Sequence, residues 1–209
     1  LTNAIRGHLA EYGWVAPRGK ASMTMLADLL DEDEMASSLP EAAVPMFRLM
    51  VDMLAELDER IATLDREIAR RAKEDEAARR LMTIPGIGPI AATAIIALAP
   101  PVETFRRSRD FAAWLGLAPR QHSTGGKQRL GSISKMGERN IRRLLIIGGS
   151  SVVQQACRRG APAGSWLEGM LARKPRMLVS VALANKMARM AWALLTKNED
   201  YRAPAAIAA

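Results

Sequence analysis

The stretch FRLMVDMLAELDERIATLDREI, residues 47–68, decides the fold class that this chain is expected to have. Its apolar residues recur at alternating intervals of three and four, which is the a/d spacing of a heptad seam. The seam positions are Phe47, Met50, Leu54, Leu57, Ile61, Leu64 and Ile68. The pattern predicts a long helix that continues to about Met82, because Pro85 and Gly86 break it. Whether the seam closes within the chain or against a second copy stays open, and a helical hairpin or a dimer arm is the leading interpretation.

Short helices separated by Gly and Pro are predicted after this long helix. Residues 89–98 are small and apolar, and Ser108 is a candidate N-cap for a helix over residues 109–115. Amphipathic patterns predict two further helices, over residues 137–157 and 177–195, each with a buried stripe. The stripes are Ile141, Leu144, Leu145 and Val152 in the first, and Ala184, Met187, Ala191 and Leu194 in the second.

The sequence therefore predicts an all-α protein, with a long coiled-coil helix or helical hairpin followed by a compact helical domain. Residues 1–80 are expected to form a helical arm and coiled coil with an acidic connector, residues 81–200 the compact domain, and residues 201–209 a frayed tail. The connector contains the run Asp31–Glu34. We interpret this run as solvated charge, because no second cluster of ligands completes a metal site.

Composition narrows the functional class. No stretch of about 18 uninterrupted apolar residues exists, so a membrane protein is not predicted. The single cysteine, Cys157, cannot form an internal disulfide, which suits the reducing cytoplasm, and we expect it to be a small buried hydrophobe. Trp166 and Trp192 stand in apolar helical contexts, and we expect them in the core rather than on the surface as stacking platforms.

Charge is distributed unevenly along the chain, whose formal net charge is +8. Residues 101–176 hold 15 Lys and Arg against 4 Asp and Glu, whereas residues 1–80 hold 11 against 16. A positive excess confined to one segment is the pattern expected of contact with nucleic-acid phosphates. A coiled-coil scaffold for protein partners is a weaker alternative, because it explains the heptads but not this segment.

The stretch IPGIGP, residues 84–89, has the order helix, Gly-x-Gly turn, helix that is typical of a helix-hairpin-helix. Gly86 and Gly88 are candidate phosphate contacts, because glycine lets the backbone approach a phosphate and the following helix offers free N–H groups. Such contacts are independent of nucleic-acid sequence. The alternative is a turn that only connects two helices, since few basic residues flank it.

A second motif is the basic loop HSTGGKQRLGSISKMG, residues 122–137. It places hydroxyl groups beside paired glycines and cations, so that an oxygen nucleophile can meet a phosphodiester. The residues assigned to nucleic-acid binding here are Arg120, Gly125, Gly126, Lys127, Arg129 and Lys135. Residue chemistry alone favours phosphate binding over covalent catalysis, and His122 is a weak candidate for proton transfer because neighbouring side chains usually diverge.

A third motif opens the helix that follows this loop. Arg139, Arg142 and Arg143 stand at positions i, i+3 and i+4, so they share one helix face. Such a face suits a DNA backbone or groove. The alternative is an ordinary exposed face, which the near absence of acidic partners makes weaker.

Four stretches in this order resemble the C-terminal domain of the serine-containing insertion-sequence transposases, the family of bridge-RNA-guided recombinases. They are residues 81–98, FAAWLGLAPR at 111–120, HSTGGK at 122–127 and ISKMG at 133–137. The resemblance implies a DNA recombinase in which a serine attacks DNA and forms a covalent phosphoserine intermediate. Carried over by position, that serine is Ser123, with Thr124 as the fallback.

The resemblance also implies features beyond this loop. Family members have an N-terminal RuvC-like domain whose four acidic residues bind Mg²⁺, then a coiled coil, and they form a homo-oligomer that works with DNA and a guide RNA. No such acidic set stands in this chain, which starts at Leu1. We therefore expect a part of the enzyme that binds nucleic acid without full activity and with no cofactor of its own. The alternative is a non-enzymatic helix-hairpin-helix module that only binds DNA or RNA.

Overall fold

A computed structural model of the chain describes residues 1–15, 25, 28, 30, 38–127 and 129–202. This part is helical apart from one two-stranded antiparallel sheet, which confirms the predicted all-α class. The helices are α1 Thr2–Glu11, α2 Ala43–Glu74, α3 Glu76–Met82, α4 Pro89–Leu98, α5 Ser108–Trp114, α6 Arg139–Arg159, α7 Trp166–Leu171 and α8 Arg176–Lys197, with a 3-10 turn at Val102–Thr104. The strands are β1 Pro119–Gln121 and β2 Leu130–Ile133. The acidic run Asp31–Glu34 and the tail 203–209 lie outside the described residues.

The chain divides into two compact units, Leu1–Arg66 and Glu67–Ala209, and α2 runs across the division. The first unit has a small core in which Ile5 and Leu9 of α1 are buried together with Phe47 of α2. The ring of Tyr12 meets that of Phe47 edge-on, with ring centroids 6.4 Å apart. These contacts bury the N-terminal end of the heptad seam.

Further along α2, three consecutive seam positions are open on its surface, whereas Met50, Leu54 and Ile68 are half-buried. Leu57, Ile61 and Leu64 are 45%, 54% and 62% exposed. Apolar side chains at heptad spacing with this exposure are the usual features of a helix that pairs with another helix.

The long helix ends earlier than predicted, at Glu74 instead of about Met82. The Asp75 side chain accepts a hydrogen bond from the backbone N–H of Ala78 at 2.7 Å and caps the separate helix α3. Aspartate is among the best N-cap residues, since its carboxylate satisfies an N–H group that has no partner within the helix. The prediction missed the N-cap at Asp75, which ends the long helix, because it followed only the apolar pattern.

Helix α8 is central to the second unit and packs against α6, α5, α3 and α7. Its predicted stripe is confirmed at Ala184, Met187 and Ala191, which are fully buried. Within the described residues α8 is the one helix long and apolar enough to cross a membrane, by length and composition only. Its buried face belongs to this core, which explains its apolar composition.

Several local predictions need correction. The N-cap of α5 is Arg107, not Ser108, and its backbone N–H donates to the Asp110 carboxylate at 3.1 Å. Helix α7 was not predicted from the sequence. Cys157 is exposed rather than buried, because Val153 and Ala156 take the core positions of that part of α6.

Candidate functional site

Residues 119–127 and 129–133 form a β-hairpin where the sequence predicted a loop, with Pro119 opposite Ile133 and Gln121 opposite Leu130. At the tip, the N–H of Lys127 donates to the carbonyl of Thr124 at 3.1 Å. Gly125 and Gly126 between them have φ of +56° and +76°. Positive φ at both central residues is the requirement of a type I′ hairpin turn, so the paired glycines shape the turn. An added Cβ at either glycine would meet nothing within 4 Å, so the tip backbone is open to a ligand.

Ser123 joins the two sides of this hairpin. Its hydroxyl donates to the side-chain oxygen of Gln121 and accepts from the backbone N–H of Arg129, both at 3.0 Å. The residue is exposed. The amide of Gln121 is neutral, so these partners hold the Ser123 oxygen in place without removing its proton. Gln121 was missed as a site residue, although its position two residues before Ser123 in an extended segment was a signal.

The ring of His122 lies against the opposite strand. A Cβ added at Gly131 would come within 2.8 Å and 2.9 Å of the ring atoms Cδ2 and Nε2. The backbone N–H of His122 donates to the carbonyl of Arg129 at 2.9 Å. The described partners of the Ser123 hydroxyl are instead Gln121 and Arg129. The ring therefore diverges from its neighbour, as the extended chain predicts.

The base of the hairpin is fixed to the helical core by backbone hydrogen bonds. The N–H of Lys135 donates to the carbonyl of Gly116 at 3.0 Å, and that of Glu138 to the carbonyl of Trp114 at 3.2 Å. Lys135 has a φ of +58°, a left-handed conformation that these bonds hold in place. The two strands thus start from a defined position while their tip extends into solvent.

The three predicted arginines of α6 have different surroundings. Arg142 is half-buried, and its Nη1 donates to the carbonyl of Leu115 at 2.8 Å and to that of Glu138 at 3.3 Å. It therefore braces the base of the hairpin, a role that sequence reasoning missed because both partners are backbone atoms. Arg139 and Arg143 are exposed and remain candidates for phosphate contact.

The surface around the hairpin is positively charged. The exposed cations predicted to bind nucleic acid are Arg120, Lys127, Arg129, Lys135, Arg139 and Arg143. The nearby carboxylate of Glu138 caps α6, where it accepts from the N–H groups of Asn140 and Ile141. The N-terminus of this helix is therefore already occupied by an anion, and side chains must supply the phosphate contacts.

The two glycines of the IPGIGP turn have different surroundings in the structure. Gly86 has a φ of +91°, and a Cβ there would lie 2.9 Å from the carbonyl oxygen of Gly148 and 3.0 Å from Val152 Cγ2. Gly86 thus packs directly on α6. The sequence predicted that a phosphate would approach this glycine closely, and the backbone of α6 does so instead. Gly88 is exposed at the N-cap of α4, and a Cβ there would meet nothing within 4 Å. Of the two predicted contacts, only Gly88 keeps free space beside it.

In the part of the chain that the structure describes, no group of three or more His, Cys, Asp or Glu residues is placed to hold a metal ion. The described residues therefore do not fit a bound Mg²⁺ ion.

Comparisons with known proteins show which proteins this chain is similar to. Residues 78–161 match the family described as "Transposase IS116/IS110/IS902 family". The chain is 45% identical over 203 residues to a Pseudomonas aeruginosa protein named "Probable family 20 transposase", with 97% of this chain and 60% of that protein covered. It is 38% identical over 197 residues to the transposase for insertion sequence element IS1328 of Yersinia enterocolitica, covering 94% and 58%. It is 36% identical over 202 residues to the transposase for IS1111A of Coxiella burnetii, covering 97% and 55%.

Over most of its length, the chain is therefore similar to insertion-sequence transposases. The segment that matches the IS116/IS110/IS902 transposase family, residues 78–161, contains the IPGIGP turn and the hairpin. The chain spans 52% and 60% of the length of two of the curated relatives it matches, and its match covers 36% of a third.

Proposed function

We propose that this chain is the DNA-handling part of a transposase, and that Ser123 attacks a DNA phosphate in the intact enzyme. The observation that carries the proposal is the position of the Ser123 hydroxyl, exposed on a hairpin whose base is anchored and whose surface is basic. A mobile loop would not hold an oxygen in a defined position, and the two hydrogen bonds at 3.0 Å do so.

In the proposed reaction, the Ser123 oxygen bonds to phosphorus and its proton passes to a base. The bond from phosphorus to one DNA oxygen breaks, and that oxygen takes up a proton. The strand is then held as a phosphoserine ester until a DNA hydroxyl attacks the same phosphorus and releases Ser123. Lys127 and Arg129 stabilise the charge that builds up on the phosphoryl oxygens. The described partners of the Ser123 hydroxyl include no general base, so we assign proton removal to a group other than Gln121 and Arg129.

The remaining partners belong to the same proposal. The open seam on α2 supports a homo-oligomer, because Ile61 and Leu64 are more than half exposed at heptad positions. The basic surface supports DNA as a partner and is also compatible with a guide RNA, which shares the phosphate chemistry. We place the complete enzyme in the cytoplasm, where its DNA substrate lies in a bacterial cell.

The test of the serine is a covalent trap. The N-terminal region of the Pseudomonas aeruginosa relative is joined to this chain and incubated with Mg²⁺, guide RNA and DNA nicked beside the expected cleavage point. We expect a protein–DNA adduct that mass spectrometry maps to Ser123, absent from Ser123→Ala and retained in Thr124→Ala. An adduct that maps to Thr124 and survives Ser123→Ala would move the nucleophile to the fallback residue. If the unsubstituted protein forms no adduct and DNA binding is intact in both variants, the chain is a binding module and Ser123 is not a nucleophile.

A further inference from the structure

A groove of about 460 Å³ lies in the second unit, outside the hairpin, and is lined by residues of α5, α7 and α8. Its aromatic and larger polar lining residues are Trp166 of α7 and Asn185, Lys186 and Arg189 of α8. Among the described residues that line it, none is acidic. None of these positions was assigned to nucleic-acid binding from the sequence.

Trp166 is 39% exposed, which contradicts the prediction that it lies in the core. The reason is local, because Leu167, Met170 and Leu171 of the same short helix pack against the core and leave Trp166 outside. Trp192, the other predicted core tryptophan, is half-buried and donates its indole N–H to the carbonyl of Val102 at 3.0 Å. The two residues thus differ in their surroundings, and Trp166 alone of the pair offers an accessible ring to this groove.

The cations of the groove lie close to that ring. The ammonium of Lys186 lies 4.7 Å from the centroid of the Trp166 ring, a cation–π contact that orients the indole. Arg189 is exposed three residues further along α8, so it projects from the same face as Lys186. The exposed ring thus has one positive charge over its face and a second charge on the same side of α8. An aromatic ring together with cations suits a nucleotide, which has a base to stack and a phosphate to pair.

We propose that this groove binds an unpaired segment of DNA, with a base stacked on Trp166 and phosphates held by Lys186 and Arg189. A base in a duplex already has its faces covered by its neighbours, so only an unpaired or flipped-out base can stack on a side chain. The choice of DNA rests on the proposed function, since strand exchange exposes unpaired DNA.

The groove is connected to the hairpin through Asn185. Its side-chain Nδ2 donates to the carbonyl of Leu117 at 3.0 Å, just before the first strand begins. The same residue therefore lines the groove and supports the base of the hairpin. A strand bound in the groove is held in a fixed relation to that base.

The test measures binding of this chain to two short single strands, oligo(dT) and an abasic strand of equal length and charge. We expect Trp166→Leu to weaken binding of oligo(dT) by roughly 5- to 100-fold, the usual contribution of one stacked base, and to leave the abasic strand unaffected. Trp166→Phe should restore most of the affinity, because it keeps a stacking surface.

Charge is tested separately. Lys186→Gln with Arg189→Gln should weaken both strands and lower the slope of log affinity against log salt by about 1.4, at about 0.7 for each lost phosphate contact. The matched control is Arg158→Gln with Arg159→Gln, which removes two exposed charges at the end of α6 and should change the slope less. This pair of variants keeps the proposal testable if Trp166→Leu does not fold.

The inference is overturned if Trp166→Leu binds oligo(dT) like the parent chain, or if it loses the abasic strand equally. It is also overturned if oligo(U) binds more tightly than oligo(dT) and only its affinity depends on Trp166, because the ligand would then be RNA. Failure of the proposed function is a different result: Ser123→Ala would still give an adduct, or none would form in the parent, whatever the Trp166 variants do.

Discussion

Two glycine-containing regions of the second unit look alike in the sequence and differ in the structure. The IPGIGP turn is packed on α6, with Ile84 and Ile87 buried and Gly86 against Gly148. The hairpin tip at Gly125 and Gly126 has nothing within 4 Å of either added Cβ. Both regions were predicted to let a backbone meet a phosphate. The difference shows that a glycine marks a close approach without telling whether the approaching group is a ligand or the protein itself.

The largest expected effect is at the packed turn. An added Cβ in Gly148→Ala would overlap the carbonyl oxygen of Gly86, which is backbone and cannot rotate away. We expect a loss of about 3 kcal/mol in the free energy of unfolding, measured in urea. Gly169→Ala is the matched control, because an added Cβ at this helical glycine would lie 4.0 Å from the Arg173 side chain, and it should gain up to about 1 kcal/mol. Equal stability of the two variants would remove the contrast between packed and open glycines.

The next effect is at the base of the hairpin. Arg142→Ala removes the hydrogen bonds to the carbonyls of Leu115 and Glu138 and should cost about 2 kcal/mol in the free energy of unfolding. Arg143→Ala, one residue further on and exposed, should stay within about 0.5 kcal/mol of the parent. If both variants are equally stable, the base is not braced by Arg142.

A smaller effect, on binding only, is expected at the tip. Lys127→Gln with Arg129→Gln should weaken duplex DNA binding roughly tenfold and lower the salt slope by roughly 2, because each lost phosphate contact contributes about 0.9. The free energy of unfolding should not change beyond about 0.5 kcal/mol, since both side chains are exposed. Fluorescence anisotropy at several salt concentrations checks the first result and urea unfolding the second. A stability loss without a binding loss would make the tip a structural element like the turn.

The smallest effect concerns an exposed network on α2 that belongs to neither region. Hydrogen bonds from Arg70 and then Arg71 lower the pKa of Glu67 from its ordinary 4.5 to about 2. Because the pKa is lower in the folded state, the stabilisation by this carboxylate is present above pH 4.5 and is lost as the pH falls towards 2. An NMR titration of Glu67 checks the value, and Arg70→Gln should raise it. A titration near 4.5 in the parent chain would show that these arginines do not hold the carboxylate.

The helices of the core were predictable because their burial leaves a period in the sequence. Ile141 and Leu145 of α6 and Ala184 and Met187 of α8 follow that period and are fully buried. The end of α2 was not predictable in this way, because the Asp75 cap acts through one side chain and one N–H group. Local caps compete with an apolar pattern without changing it.

The hairpin was missed for a related reason. Its strands are short and almost wholly exposed, so they show no alternation of buried and exposed residues. The available signal was the Gly125-Gly126 pair, which is typical of a type I′ turn. The packing of Gly86 also had a signal, since Gly148 and Gly149 stand inside a helix, where glycine often marks a close backbone contact.

Of the candidate site, the sequence predicted the exposed cations and the hydroxyl but not their supports. The partners of Arg142 are backbone carbonyls, which every residue has, so no residue type announces them. The ring of Trp166 was misplaced because its neighbours Leu167 and Met170 are also apolar, and the sequence does not show which of the three stays outside.

The anchored base of the hairpin has a consequence for amide hydrogen exchange. The N–H groups of Lys135 and Glu138 bond to carbonyls beside the core, so they can exchange only when much of the second unit opens. The N–H of Lys127 makes a single hydrogen bond, across the turn at the exposed tip, and can exchange by local opening. The tip can therefore change shape around a ligand while the cooperative unit that holds its base stays folded. The free-energy cost of that change is confined to the few residues of the tip.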